Sequence, residues 1–147
     1  MDVFLANEQD IAVDHDRLSA LASHVLTSEE VEDSAELSIL FVTADHMKRL
    51  NSHFAGEDYA TDVLAFPMME EEEDDAPMVL GDVVVCPQVA RDNAVKVGHS
   101  LIEELSLLVV HGTLHILGYD HQGPRDKENM DKRQRELLAS FDVGAAR

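Results

Sequence analysis

The sequence predicts an α+β fold: a small mixed β-sheet of about four strands packed with about five helices, in one domain over residues 1–147. Three observations predict it. Short apolar runs rich in Val, Ile and Phe alternate with longer stretches whose apolar residues recur every three to four positions, so strands and helices are interspersed. One stretch, residues 105–117, carries no formally charged side chain and is apolar on nearly every side, which predicts a central, buried helix. The length of 147 residues suits one core, because a chain of that size buries roughly 70% of its unfolded surface.

The elements follow in order. Val3-Phe4-Leu5-Ala6-Asn7 reads as a first strand. Residues 16–26 place Leu18, Leu21, Ala22, Val25 and Leu26 at helical spacing. Leu37-Ser38-Ile39-Leu40-Phe41-Val42 is a second strand, and Thr43 caps a helix in which Met47, Leu50 and Phe54 recur. Val63-Leu64-Ala65-Phe66-Pro67 is a short strand stopped by proline. The acidic run Glu70-Glu71-Glu72-Glu73-Asp74-Asp75 reads as a charge-repelled loop, about 68–77. Residues 79–85 form a further strand, ended by Pro87, and Val89, Ala90, Ala94 and Val97 mark a helix ending near Gly98. Ser100 and Glu103 form a capping box for the uncharged helix. A last amphipathic helix, about 124–141, turns Met130, Leu137, Leu138 and Phe141 inward. Its Lys127, Lys132, Arg133 and Arg135 read as a solvated face with pairs such as Asp131 to Arg135.

Composition excludes several classes. One cysteine, Cys86, allows no internal disulfide, and its place in an apolar run makes it a small buried hydrophobe. No apolar run reaches the ~18 residues of a membrane span, and the first residues lack a signal-peptide pattern, so a cytoplasmic protein without membrane contact is expected. The net charge of −19 is unevenly spread: residues 1–123 hold 25 of the 30 acids but only 5 of the 11 Lys and Arg. A bare electrostatic argument for polyanion binding predicts the opposite sign.

The chemistry concentrates in His111-Gly112-Thr113-Leu114-His115-Ile116-Leu117-Gly118-Tyr119-Asp120-His121. His111 and His115, four apart, share a helix face. Gly118 can take the left-handed conformation that ends a helix, so the chain turns back and His121 closes on the same ion. Three imidazoles leave one tetrahedral position open, the pattern of a catalytic zinc site. The metal ligands expected are therefore His111, His115 and His121, holding one Zn²⁺ on the buried helix. A bound metal also compensates imidazoles that would otherwise be buried at a cost. His15, His24, His46, His53 and His99 lack such spacing and read as surface or structural.

The spacing is shared with the metzincin peptidases, which place Glu directly after the first histidine as general base. Here that position is Gly112, which takes no proton and argues against peptide hydrolysis. No general base is identified; Asp62, Asp82 and Asp120 are candidates. Asp120, beside His121, reads first as a partner that orients a ligand histidine. Asp62 reads equally as a turn or capping residue.

The 111–121 segment closely resembles the signature of the YbeY family, bacterial metal-dependent endoribonucleases of ribosomal RNA maturation. Thr61-Asp62-Val63-Leu64-Ala65-Phe66-Pro67 and Leu80-Gly81-Asp82-Val83 resemble two further family strands, Leu50-Asn51 precedes the first, and Glu128 and Met130 fit the tail. The resemblance spans roughly residues 37–138. It implies a zinc-dependent, single-strand-specific endoribonuclease acting on the small-subunit ribosomal RNA 3′ end and in ribosome quality control. Its partners would be single-stranded ribosomal RNA and the small subunit or its proteins, with no DNA. Two departures stand out: Ala65 where the family usually has Ser, and Ala55 where it commonly has a phosphate-binding Arg. An alanine offers nothing like the arginine fork. Lys48, Arg49, Arg91 and Lys96 are the cations available to replace it. Two alternatives compete: a non-catalytic, metal-binding ribosome-associated factor, and a metallohydrolase of another class such as a peptidase.

Overall fold

The structure is a computed structural model and describes residues 1–68, 78–120 and 122–145. The predicted acidic loop from residue 69 to 77, with its run of acids, and His121 lie outside the described residues. Nine elements follow one another as β1 (Asp2–Asn7), α1 (His15–Ser28), β2 (Ala35–Phe41), α2 (Ala44–Ala55), β3 (Val63–Pro67), β4 (Met78–Val85), α3 (Pro87–Val97), α4 (Leu101–Ile116) and α5 (Pro124–Ala145).

The four strands form one sheet in the order β1-β2-β4-β3. β1, β2 and β4 run parallel, whereas β3 pairs antiparallel with β4 at the edge. The sheet is therefore mixed, as the sequence suggested. β2 lies between two parallel neighbours and alternates strictly, with Ala35, Leu37, Ile39 and Phe41 buried. Those residues meet Leu18, Ala22 and Leu26 of α1, Ala90 of α3, and Leu105, Leu108 and Val109 of α4 in the main core. On the opposite face, Val42, Met47, Val84 and Cys86 form a smaller cluster with Leu50, Leu64 and Phe66, covered by α2. Fully burying such a Val, Leu or Ile side chain contributes about 1.5–3 kcal/mol.

α4 is the central helix. It rests on β4 and β3, and its outer side packs through Val110 and Leu114 against Leu21 and Val25 of α1 and Met130 and Leu137 of α5. Ser100 and Glu103 close both halves of the predicted capping box. Thr43 caps α2 by accepting from the amide of His46.

Three local expectations differ. Phe54 is 62% exposed, because it falls in the last turn of α2, where it meets only the edges of neighbouring rings, Phe66 at 5.0 Å and His53 at 4.6 Å among the described residues. Val97 is exposed at the end of α3, where no neighbouring element covers it. On α5, Arg133 pairs with Glu29 and Glu136 in place of the expected Asp131–Arg135 contact, because α1 ends beside it. No helix among the described residues is long and apolar enough to cross a membrane.

Candidate metal centre

His111 and His115 project from the same side of α4, half-buried, with ring centroids 4.7 Å apart and planes at 70°. They open onto a cavity of about 230 Å³ whose other walls are Val63, Leu64 and Ala65 of edge strand β3 and Gly112 of α4. No carboxylate lines this cleft among the described residues. Among the described residues no group of three His, Cys, Asp or Glu converges as a ligand set. The third expected donor, His121, lies outside the described residues.

Gly112 is what lets the histidines reach the cleft. A Cβ built on it would stand 2.5 Å from Val83 Cγ1 and 3.3 Å from Val63 Cγ2. The helix thus touches the sheet through bare backbone at the residue after His111. The peptidase glutamate is absent for a steric reason as well as a chemical one: the sheet occupies its place.

The chain leaves α4 as the sequence predicts. Gly118 adopts φ +104°. Its amide donates to the carbonyl of His115, and the amide of Tyr119 donates to that of Leu114, the paired bonds of a Schellman end. The Tyr119 hydroxyl then donates to Glu29, 2.9 Å away at the end of α1, and Arg133 of α5 donates to the other oxygen of the same carboxylate. Burial, and then the bond to Glu29, push the Tyr119 phenol above its ordinary value. This clamp pins the turn two residues before His121.

His111 Nδ1 lies 2.5 Å from Gln134 Oε1 of α5. Gln134 is buried, between Met130 and Leu137 on the inward stripe of that helix. The sequence reading missed it. Its signal was present: one polar residue in line with the apolar positions of an otherwise charged helix. Asp120, expected to orient a histidine, is exposed, and its carboxylate accepts from the amide of Gln122 at 3.3 Å.

Neither of the other candidate carboxylates is among the described lining of the cleft. Asp62 accepts from Asn93 at 3.3 Å and from Thr61 at 3.5 Å, and its carbonyl accepts from the amide of Cys86, tying the start of β3 to α3. Asp82 alternates with Val83, which faces α4, so it lies on the α2 side of the sheet, exposed. Of the remaining histidines, His24 bonds Ser140 and His99 bonds the buried Glu104. His15 and His53 are exposed. Ala55 sits exposed at the end of α2. Lys48, Arg49, Ser52, His53 and Asp58 line a shallow hollow at this helix, with Lys48 3.8 Å from Asp58. Arg91 and Lys96 are exposed on α3.

Fold and cleft together define a class: an α+β protein that presents the paired imidazoles of a His-Gly-x-x-His helix beside an antiparallel edge strand. Comparison with known proteins narrows the class. A family profile described as Endoribonuclease YbeY matches residues 4–142. A protein of that name from Salinispora tropica is 46% identical over 151 residues, covering 96% of each chain. Another from Frankia casuarinae is 47% identical, covering 97% of this chain and 75% of its own. The solution structure of TM1509 from Thermotoga maritima superposes with a TM-score of 0.62 at 28% identity, over 98% of this chain and 93% of the other. The chain belongs to the endoribonuclease YbeY family and is an enzyme of the hydrolase class.

Proposed function

We propose that this chain is a metal-dependent endoribonuclease that cuts single-stranded RNA during ribosomal RNA maturation, with one zinc ion held by His111, His115 and His121. The observation that carries the metal reading is the donor pair. Two imidazoles four residues apart face one cleft, and the far ring nitrogen of His111 meets a buried amide oxygen. Metal-bound histidines have this arrangement, one nitrogen for the ion and the other held by an acceptor. When bound there, a zinc ion would supply Lewis acidity toward a phosphate group.

The chain's own residues do the rest. Val63, Leu64 and Ala65 form an uncharged wall that keeps carboxylates away from an incoming phosphate. The described lining therefore adds no like charge to repel a phosphate. Lys48 and Arg49, on the helix that ends at Ala55, are the nearest substitutes in sequence for the arginine common in the family. We extend the reading to a cytoplasmic enzyme acting on the small-subunit RNA, with a role in ribosome quality control.

The test is cleavage of single-stranded ribosomal RNA by the purified protein with zinc, with chelator, and by His115→Ala. Cleavage that chelator and His115→Ala both abolish supports the proposal. Intact RNA under all conditions, or cleavage that survives His115→Ala, defeats it.

A further inference from the structure

We propose that Gln134 is a positioning residue: its side-chain oxygen holds the proton of His111 on Nδ1, so that Nε2 keeps its lone pair facing the cleft. The inference rests on the metal reading above for its purpose, but not for its geometry.

Gln134 is 7% exposed and occupies a position where Leu or Met would continue the apolar stripe Met130-Gln134-Leu137. A carboxamide brought out of water is destabilising unless it is hydrogen-bonded. Packing alone therefore does not account for glutamine here. Its Oε1 lies 2.5 Å from His111 Nδ1. A carbonyl oxygen can only accept, so the imidazole nitrogen must donate. A neutral imidazole carries one ring proton; with that proton on Nδ1, Nε2 is the unprotonated nitrogen. α5 thereby belongs to the site although it supplies no ligand. The partner is also neutral. Unlike a carboxylate, it orients the ring without adding negative charge beside a centre that must attract phosphate.

The tautomer can be read on the metal-free full-length chain by long-range ¹H–¹⁵N correlation of the histidine rings. The expected result is a proton on Nδ1 of His111 in the wild type, and its partial transfer to Nε2 in Gln134→Leu. Zinc affinity, measured by competition with a chromophoric chelator, should fall about 10- to 100-fold in Gln134→Leu. In Gln134→Glu, whose carboxylate accepts the same bond, it should stay at or above the wild-type level. Circular dichroism checks that both variants fold. A wild-type His111 protonated on Nε2 overturns the inference, as does a folded Gln134→Leu with wild-type zinc affinity. If Gln134→Leu does not fold, the wild-type tautomer and Gln134→Glu still decide. A wild type that binds no zinc defeats the metal reading instead, and the tautomer measurement, which needs no metal, continues to judge Gln134.

Discussion

Replacing Gly112 with alanine should weaken the fold by about 1–2 kcal/mol, although alanine is the better helix former. The mid-helix Gly→Ala change by itself stabilises by about 1 kcal/mol. Against it stands a new methyl 2.5 Å from Val83 Cγ1 and 3.4 Å from Val83 Cγ2. Val83 cannot easily yield. It is fully buried, stiff at χ1 because it is β-branched, and flanked in the sheet by Ile39 on one side and Ala65 on the other. Overpacking of this kind costs about 1–3 kcal/mol, and a site this rigid falls toward the upper end, which leaves the net figure above. For a chain of this size the melting temperature should drop by about 3 °C per kcal/mol. Urea unfolding of the wild type, Gly112→Ala, Val83→Ala and the double variant measures the contact directly. Val83→Ala alone opens a cavity and destabilises, but it also removes both offending methyls. The double variant should therefore be more stable than the two single effects predict by about 1–2 kcal/mol. A Gly112→Ala protein more stable than wild type, with effects additive to Val83→Ala, would refute the steric account. Zinc affinity should fall along with stability, because α4 can relieve the clash only by lifting His111 and His115 away from β3.

Other outcomes follow from the same packing. Tyr119→Phe should cost about 1 kcal/mol through the lost bond to Glu29. Because the folded chain raises the Tyr119 value above 10.0, burial first and Glu29 second, the associated stability is complete below pH 10 and lost as pH rises through the higher folded value. Urea midpoints should accordingly decline less steeply in Tyr119→Phe than in wild type above about pH 10. Cys86 is fully buried and its thiol is pushed upward, chiefly by burial, so thiol reagents at neutral pH should label it only after denaturation. Labelling of the native protein at the rate of the unfolded chain would contradict that placement. Ser100→Ala removes the acceptor for the Glu103 amide and should lower stability by about 1 kcal/mol in urea titrations. The backbone amide and hydroxyl of Ser100 hold the Glu103 carboxyl below 4.5, so the part of the capping box owed to Glu103 should persist above that pH and fade as pH falls through its lower folded value. A pH dependence between 3 and 5, roughly, that is unchanged in Glu103→Gln would count against this.

Much of the fold was legible because its causes are local. Capping of α4 by Ser100 and Glu103 involves residues three apart, the end at Gly118 needs only one unusual φ, and the buried character of α4 is written in 13 consecutive uncharged residues, 105–117. Amphipathic periodicity likewise placed α1 and α5 within a few residues of their ends. Phe54 and Val97 misled because periodicity says which face a residue shares, not whether a neighbouring element extends far enough to cover it.

By itself, then, the chain determined its elements, its class and the face shared by His111 and His115. These depend on contacts within one turn or one strand, where backbone geometry leaves few choices. The tertiary structure decided what those residues meet. It placed β3 antiparallel at the edge, so that Val63 and Ala65 wall the cleft, and turned Asp82 to the far side of the sheet. It brought Gln134, 23 positions away, to His111, and pressed Gly112 onto Val83, 29 positions away. Pairings at such separations depend on how whole helices pack on the sheet, so no local pattern encodes them.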